Sequence, residues 1–263
     1  MFRALNTAAT GMAAQQLQLD NIANNLANTS TTGFRQRRLQ FQDLLYQNIV
    51  MPGSAASDQT TVAAGLQVGL GTKTSASEII QQQGDLTATG NSLDLAIQGN
   101  GFFQIKLPNG ETAYTRCGEF HLDSSGNVVT SDGNALIPTI TIPSNAQTIT
   151  ISQTGIVSVT LPGQTQSQTV GTIQLAMFPN PGGLNSVGGN LFLATTASGD
   201  AVVANPGGTE GLGTIQQGYL ENSNVSVVDE FVAMVLAQRS YEANSRVVRA
   251  ADDMMQQLNN MGH

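Results

Sequence analysis

The sequence is poor in the residues from which most catalytic and metal sites are built. It contains one cysteine, Cys117, and two histidines, His121 and the terminal His263. A single cysteine excludes an internal disulfide framework and any zinc site resting on a cysteine pair. Charge is scarce as well: Asp, Glu, Lys and Arg make up 11% of the chain, less than half of the ~25% usual in a soluble domain. The balance is acidic, 18 Asp and Glu against 10 Lys and Arg, for a net charge of −8. That argues against a nucleic-acid binder, whose phosphate contacts need a basic face. Long apolar runs are missing too. The longest, Phe231–Ala237, has seven residues, far short of the ~18 that suggest a membrane span. Residues 1–11 hold one Arg and no apolar core segment, so no cleavable secretory signal is expected.

In place of charge stand 19 Ser, 27 Thr, 21 Asn, 25 Gln and 28 Gly, so the surface is polar without being charged. The 263 residues suffice for one large or two modest cores. The charges that exist are unevenly placed. Residues 1–50 carry four Arg and two Asp, residues 51–218 three basic and ten acidic groups, and residues 219–263 three basic and six acidic groups. The two ends thus have opposite sign, an attraction screened beyond about 8–10 Å.

Both ends read as helices. Over 3–28, Leu5, Met12, Leu19 and Leu26 recur every seven residues, with Ala8 and Ile22 in the second seam position, a heptad-like pattern. Alanines supply helix propensity and permit close approach. Only Arg3 and Asp20 are charged before position 35, which predicts a helix that buries most of its circumference. Thr29–Gly33 ends it, with Gly33 suited to a left-handed turn. At the other end, Ser226 and Asp229 form a capping-box-like start. Val227, Met234, Tyr241, Val248 and Met255 then repeat every seven residues, with Ala237, Ala251 and Leu258 in the second position and Asn244 as a polar interruption. Two such helices predict antiparallel pairing.

Between them the period becomes two. Short β-type runs fall at 93–97, 102–105, 113–115, 128–130, 139–142, 148–151, 157–161, 173–178 and 191–193, separated by turn signals such as Pro108-Asn-Gly110 and Asn180-Pro-Gly-Gly183. An antiparallel β-rich domain is expected over about 93–204. Residues 51–92 lack periodicity and read as extended or loop-like. Residues 205–213 mark a boundary before a return strand at 215–220.

Candidate chemistry is thin. Cys117, Glu119, His121 and Asp123 would share one face of a strand, and such side chains can bind a metal. With no second His or Cys nearby in sequence, a polar strand face is the better reading. Gly65–Gly71 and Gly99-Asn-Gly101 lack the strand–helix setting of a nucleotide loop and read as turns. No pair of carboxylates is singled out for hydrolysis. Arg35, Arg37 and Arg38 form a basic patch, read as a solvated loop face or as an inter-subunit ion-pair site. Tyr241, Met234, Met254 and Met255 read as packing.

Longer stretches carry a resemblance. Leu19-Asp-Asn-Ile-Ala-Asn-Asn-Leu-Ala-Asn28 with Thr32-Gly-Phe34, Gly218–Ser226, Gln238–Ser245, Leu95–Phe103 and Tyr114–Phe120 together resemble the signatures of bacterial flagellar rod and hook proteins, over essentially the whole chain. Length and the segments Phe41–Tyr46 and Gly65–Gly71 resemble the distal-rod branch of that family most. Cys117 departs from it, since Asp usually precedes that Gly.

The resemblance implies an α+β fold: long N- and C-terminal helices pairing as a coiled-coil-like domain, with a central β-rich antiparallel domain. Residues 1–34 and 222–263 would form the terminal helical domain lining the inner tube. Residues 35–92 and 205–221 would form an extended or β connecting domain, and 93–204 the outer β-rich domain. It implies a non-enzymatic, self-assembling subunit of the distal rod in the basal body, crossing the periplasm toward the outer membrane. That rod is a rigid hollow drive shaft and export channel. The implied partners are further copies of the chain, proximal rod proteins, the hook protein, the P- and L-ring proteins and the flagellar export apparatus, with no nucleic acid, small-molecule substrate or cofactor. The expected assembly interface comprises Leu5, Met12, Leu19, Ile22, Asn25, Leu26, Met234, Tyr241, Val248 and Met255, and no catalytic or metal-binding residue is expected. The alternatives are a proximal rod or hook-junction subunit of the same family, and, in another class, a secreted β-rich binding or hydrolytic domain.

Overall fold

The computed structural model of the chain describes residues 2–51, 55–57, 60, 61, 64–164, 166–208 and 211–261, with backbone alone at 2, 55–57, 60, 61, 258 and 259. The side chain of Leu258, expected to extend the C-terminal seam, lies outside the described residues, as do parts of segments 51–92 and 205–213. The chain forms two compact units. One comprises Met1–Ala27, Arg37–Glu78 and Ser226–His263; the other comprises Asn28–Gln36 and Ile79–Val225.

The first unit holds helix α1 (Phe2–Ala27), strands β1 (Arg37–Asp43), β2 (Tyr46–Val50), β3 (Ala55–Ser57), β4 (Thr60–Thr61), β5 (Leu66–Gly69) and β6 (Thr72–Ile79), and helix α2 (Val227–Met261). At the start of α2 the Ser226 hydroxyl accepts the Asp229 N–H at 3.4 Å. Asp229 and Glu230 in that first turn also complement the helix dipole. Strand β1 pairs with β6, while β2 with β5 and β3 with β4 form antiparallel ladders. Strands β1 to β6 thus pair as a long hairpin, and the described part of 51–92, read as extended or loop-like, is largely extended strand. Backbone pairing forms it without apolar alternation, which is why periodicity did not reveal it.

The second unit holds β7 (Leu86–Ala88), β8 (Leu95–Gln98), β9 (Phe102–Lys106), β10 (Thr112–Thr115), β11 (Phe120–Leu122), β12 (Val128–Thr130), β13 (Ala135–Ile137), β14 (Thr148–Ile151), β15 (Ile156–Thr160), β16 (Gln168–Thr172), β17 (Leu175–Met177), β18 (Asn185–Gly188), β19 (Leu191–Leu193), β20 (Val202–Ala204), β21 (Thr214–Gln217) and β22 (Tyr219–Glu221). One edge of β9 pairs with β10; the other is shared end to end by β13 and β17, all antiparallel.

Alternation along β9 sorts two cores. Phe103 and Ile105 join Phe120, Leu136, Val157 and Ile215, whereas Phe102 joins Tyr114, Phe178 and Phe192. In the smaller core the Tyr114 and Phe178 rings meet edge to face, 4.7 Å between centroids. The meander β14–β15–β16 contributes Ile151, Val157 and Val159 to the larger core.

Two sequence expectations change here. Residues 139–142 form no strand, only a single bridge between Thr141 and Asn127. The return strand at 215–220 is split, because Gly218 takes φ +78°, a conformation costly for other residues. Strand β21 pairs with β8 and β22 with β7 on either side of that break.

Candidate functional site

The distinctive feature of the first unit is the helix pair. Near one end the Asn25 amide donates to Glu230 Oε1 at 3.0 Å. Further along, a side chain added at Gly11 would meet Asn244 at 2.9 Å. These anchors lie fourteen residues apart on both helices and run in opposite directions. Two heptads of one helix therefore match two heptads of the other, so α1 and α2 pair antiparallel with a seven-residue repeat. Asn25 is buried; its Oδ1 accepts the Arg37 N–H at 3.0 Å and its Nδ2 donates to the Arg37 carbonyl at 2.9 Å. One side chain thus ties α1, α2 and the start of β1.

Of the ten residues expected at an assembly interface, Ile22 and Asn25 are buried. Leu5, Met12, Leu19, Leu26, Met234, Val248 and Met255 are half-buried, and Tyr241 is exposed. Buried Ala8, Ala237 and Ala251 permit close approach of the two helices. The sequence reading missed a second apolar stripe. Val228, Phe231, Val232, Val235 and Leu236, at helical spacing on α2, are all exposed, Leu236 at 63%. The seven-residue apolar run Phe231–Ala237 was its signal: on a helix, such a run covers more than one face. The hairpin adds Leu45, Tyr46, Ile49, Met51 and Leu66, all exposed, Leu45 at 85%.

The basic patch is not a uniform solvated face. Arg38 makes a surface pair with Glu78 at 3.0 Å. Arg35, in the second unit, is buried in a triad. Its Nη2 donates to Glu221 Oε1 at 2.7 Å, and Arg116 Nε and Nη2 donate to Glu221 Oε2 at 2.9 and 2.8 Å. Arg116 Nη1 also donates to the carbonyls of Gly99 and Gly101. Burial lowers the pKa of both arginines, Arg116 to about 10, with Glu221 opposing the shift. Nothing local in sequence signals this triad.

Around Cys117, the thiol meets the Thr32 hydroxyl at 3.3 Å, and burial raises its pKa. The Asp123 carboxylate is engaged by its own turn, accepting from the N–H groups of Ser125 and Asn127. Among the described residues, no group of three His, Cys, Asp or Glu side chains is placed to hold a metal ion.

Three family models match the chain: "Flagella basal body rod protein" at residues 5–35, "Flagellar hook protein FlgE/F/G D1 domain" at 96–159 and "Flagellar basal body rod FlgEFG protein C-terminal" at 216–261. The flagellar basal-body rod protein FlgG of Caulobacter vibrioides is 54% identical over 97% of both chains. The chain belongs to the FlgG family of flagellar basal-body rod proteins. FlgG of Borreliella burgdorferi is 45% identical over 99% of both chains. In Bacillus subtilis, FlgG is 39% identical, whereas the hook-basal body complex protein FlhP is 29% identical, which separates the FlgG family from a sibling. The chain also overlaps 43% of the solved hook protein FlgE2 of Helicobacter pylori, at 16% identity and a TM-score of 0.25, too loosely to bear on fold or function. As a FlgG-family protein, the chain is a structural, non-enzymatic rod subunit of the basal body.

Proposed function

We propose that the chain builds the distal rod by docking its paired terminal helices against those of neighbouring copies, with the exposed stripe Val228–Leu236 as the principal inter-copy contact. The observation that carries this reading is the stripe itself: five apolar side chains in register on a helix whose other face is already occupied. Burying a half-exposed Val, Leu or Phe is worth about 1 kcal/mol each. A contact between unlike faces does not close on itself and so generates a helical filament. The ten seam residues, Leu5 to Met255, act at this interface by holding the pair in shape, with the open edges of Tyr241 and Met255 available to a neighbour. In the assembled shaft, residues 1–34 and 222–263 line the tube, 35–92 and 205–221 connect, and 93–204 lie outside. Proximal rod, hook and ring proteins meet this shaft at its ends and flank. Val232→Asp with Leu236→Asp tests the reading. The double variant should remain a folded monomer by circular dichroism yet yield basal bodies without a distal rod, and normal rods would overturn it.

The hairpin supplies a second, independent contact. Its exposed Tyr46, Ile49 and Leu66 suit an arm lying across a neighbouring copy and stiffening the shaft. Deleting residues 46–66 should still permit assembly but give rods that bend more or stop at the wrong length. Straight, normally terminated rods from this deletion would remove the hairpin from the mechanism.

A further inference from the structure

The Arg35–Glu221–Arg116 triad does not balance. Two guanidiniums face one carboxylate, and all three side chains are buried, Arg35 at 4% and Glu221 at 1% exposure. Glu221 is saturated: Oε1 accepts from Arg35 and from the Gly84 N–H at 3.0 Å, and Oε2 accepts twice from Arg116. Arg116 is also saturated, since its remaining donors reach the carbonyls of Ile97, Gly99 and Gly101. Arg35 is not. It reaches Glu221 and the Gln82 carbonyl, but its Nε–H meets no acceptor. One positive charge is left over in a place where an uncompensated ion is strongly disfavoured.

Beside this charge lies a cavity of about 140 Å³, bordered by Arg35, Arg116, Gln81, Asn100 and Phe102. A cavity of that size is close to the ~150 Å³ that holds a benzene ring, so it admits an ion with several waters or a small carboxylate. We propose that this cavity binds a small monoanion, a halide or a short carboxylate, which neutralises the surplus guanidinium charge. Burial depresses both arginine pKa values, because desolvation disfavours the charged form beside a single carboxylate. Flanking carbonyls are already turned toward Arg116, so selectivity against multivalent anions follows from the net charge of one.

The test is thermal unfolding of the full chain at low protein concentration and constant ionic strength, with gluconate replaced stepwise by chloride, formate or acetate. Gluconate has the same charge but is far bulkier than chloride, formate or acetate. The midpoint should rise saturably by about 3 °C with each small anion. Asn100→Asp places a carboxylate at the cavity rim; it should raise the midpoint in gluconate and remove the response to small anions. Bromide soaked into crystals should give an anomalous peak inside the cavity bordered by Arg35 and Arg116. Identical midpoints in all four anions, an undiminished response in Asn100→Asp, or no bromide peak would each overturn the assignment.

Discussion

At the scale of single residues, the second unit depends on buried charges whose partners lie far away in sequence. Glu221 receives Arg35, Arg116 and the Gly84 amide, so Glu221→Gln leaves two guanidiniums facing a neutral amide. We expect a loss of about 3–5 kcal/mol, read as a lower urea midpoint with unchanged slope; an unaltered midpoint would show that the triad contributes nothing. Asp123 gives a pH effect of known sign. Hydrogen bonds from the backbone and side chain of Asn127, and from Ser125, hold its pKa below the ordinary carboxylate value. The folded value is thus below the unfolded one. The turn's stabilisation is complete above the unfolded pKa and is lost as pH falls through the folded pKa. In an NMR titration Asp123 should ionise at lower pH than an ordinary aspartate, with Asn127 amide protection vanishing in the same window. An Asp123 pKa at or above the ordinary value would contradict this.

At the scale of elements, the two faces of α2 divide the labour. One face packs on α1, its register fixed by Asn25 with Glu230 and by Gly11 with Asn244. The other carries Val228 to Leu236 into solvent. Substitutions should therefore separate. Leu19→Asp with Leu26→Asp introduces charge into the seam and should cost about 3 kcal/mol or more of helix-pair stability. That would appear as lost helical circular dichroism already in the monomer. Val232→Asp with Leu236→Asp should keep the helical signal and lose only assembly. Identical behaviour of the two pairs would refute the division.

At the scale of the whole molecule, stability is uneven. Phe103, Ile105, Leu136 and Leu175 are fully buried in the second unit, whereas the helices keep a large apolar surface exposed. A helix pair with so little cover opens easily. Limited proteolysis of the dilute monomer should trim both ends and leave a fragment near 35–220, while assembled rods should resist. Full protection of the ends in the monomer would show that the helices need no neighbour. This difference suits a subunit whose marginally stable helix pair is held closed by docking, since burial of its exposed face then adds to its stability.

Features that depend on local period could be read from the order of residues alone. The seams of both helices were legible because Leu5, Met12, Leu19 and Leu26, and Met234 through Met255, repeat within one element. Strands such as Phe102–Lys106 were legible because alternation is equally local. Family membership was legible because its signatures are contiguous stretches. Partners far apart along the chain emerged only once it was folded. Arg35 read as part of a solvated loop face or of an inter-subunit ion-pair site, yet it is buried against Glu221 of the same chain, because the topology joins positions with no local relation. At Gly118 a Cβ would lie 1.6 Å from the Leu95 carbonyl oxygen, so that close approach requires glycine. The apolar run at 231–237 was visible, while its division between a filled face and an open one was not. Periodicity tells which residues share a face, and only long-range packing determines which face is covered.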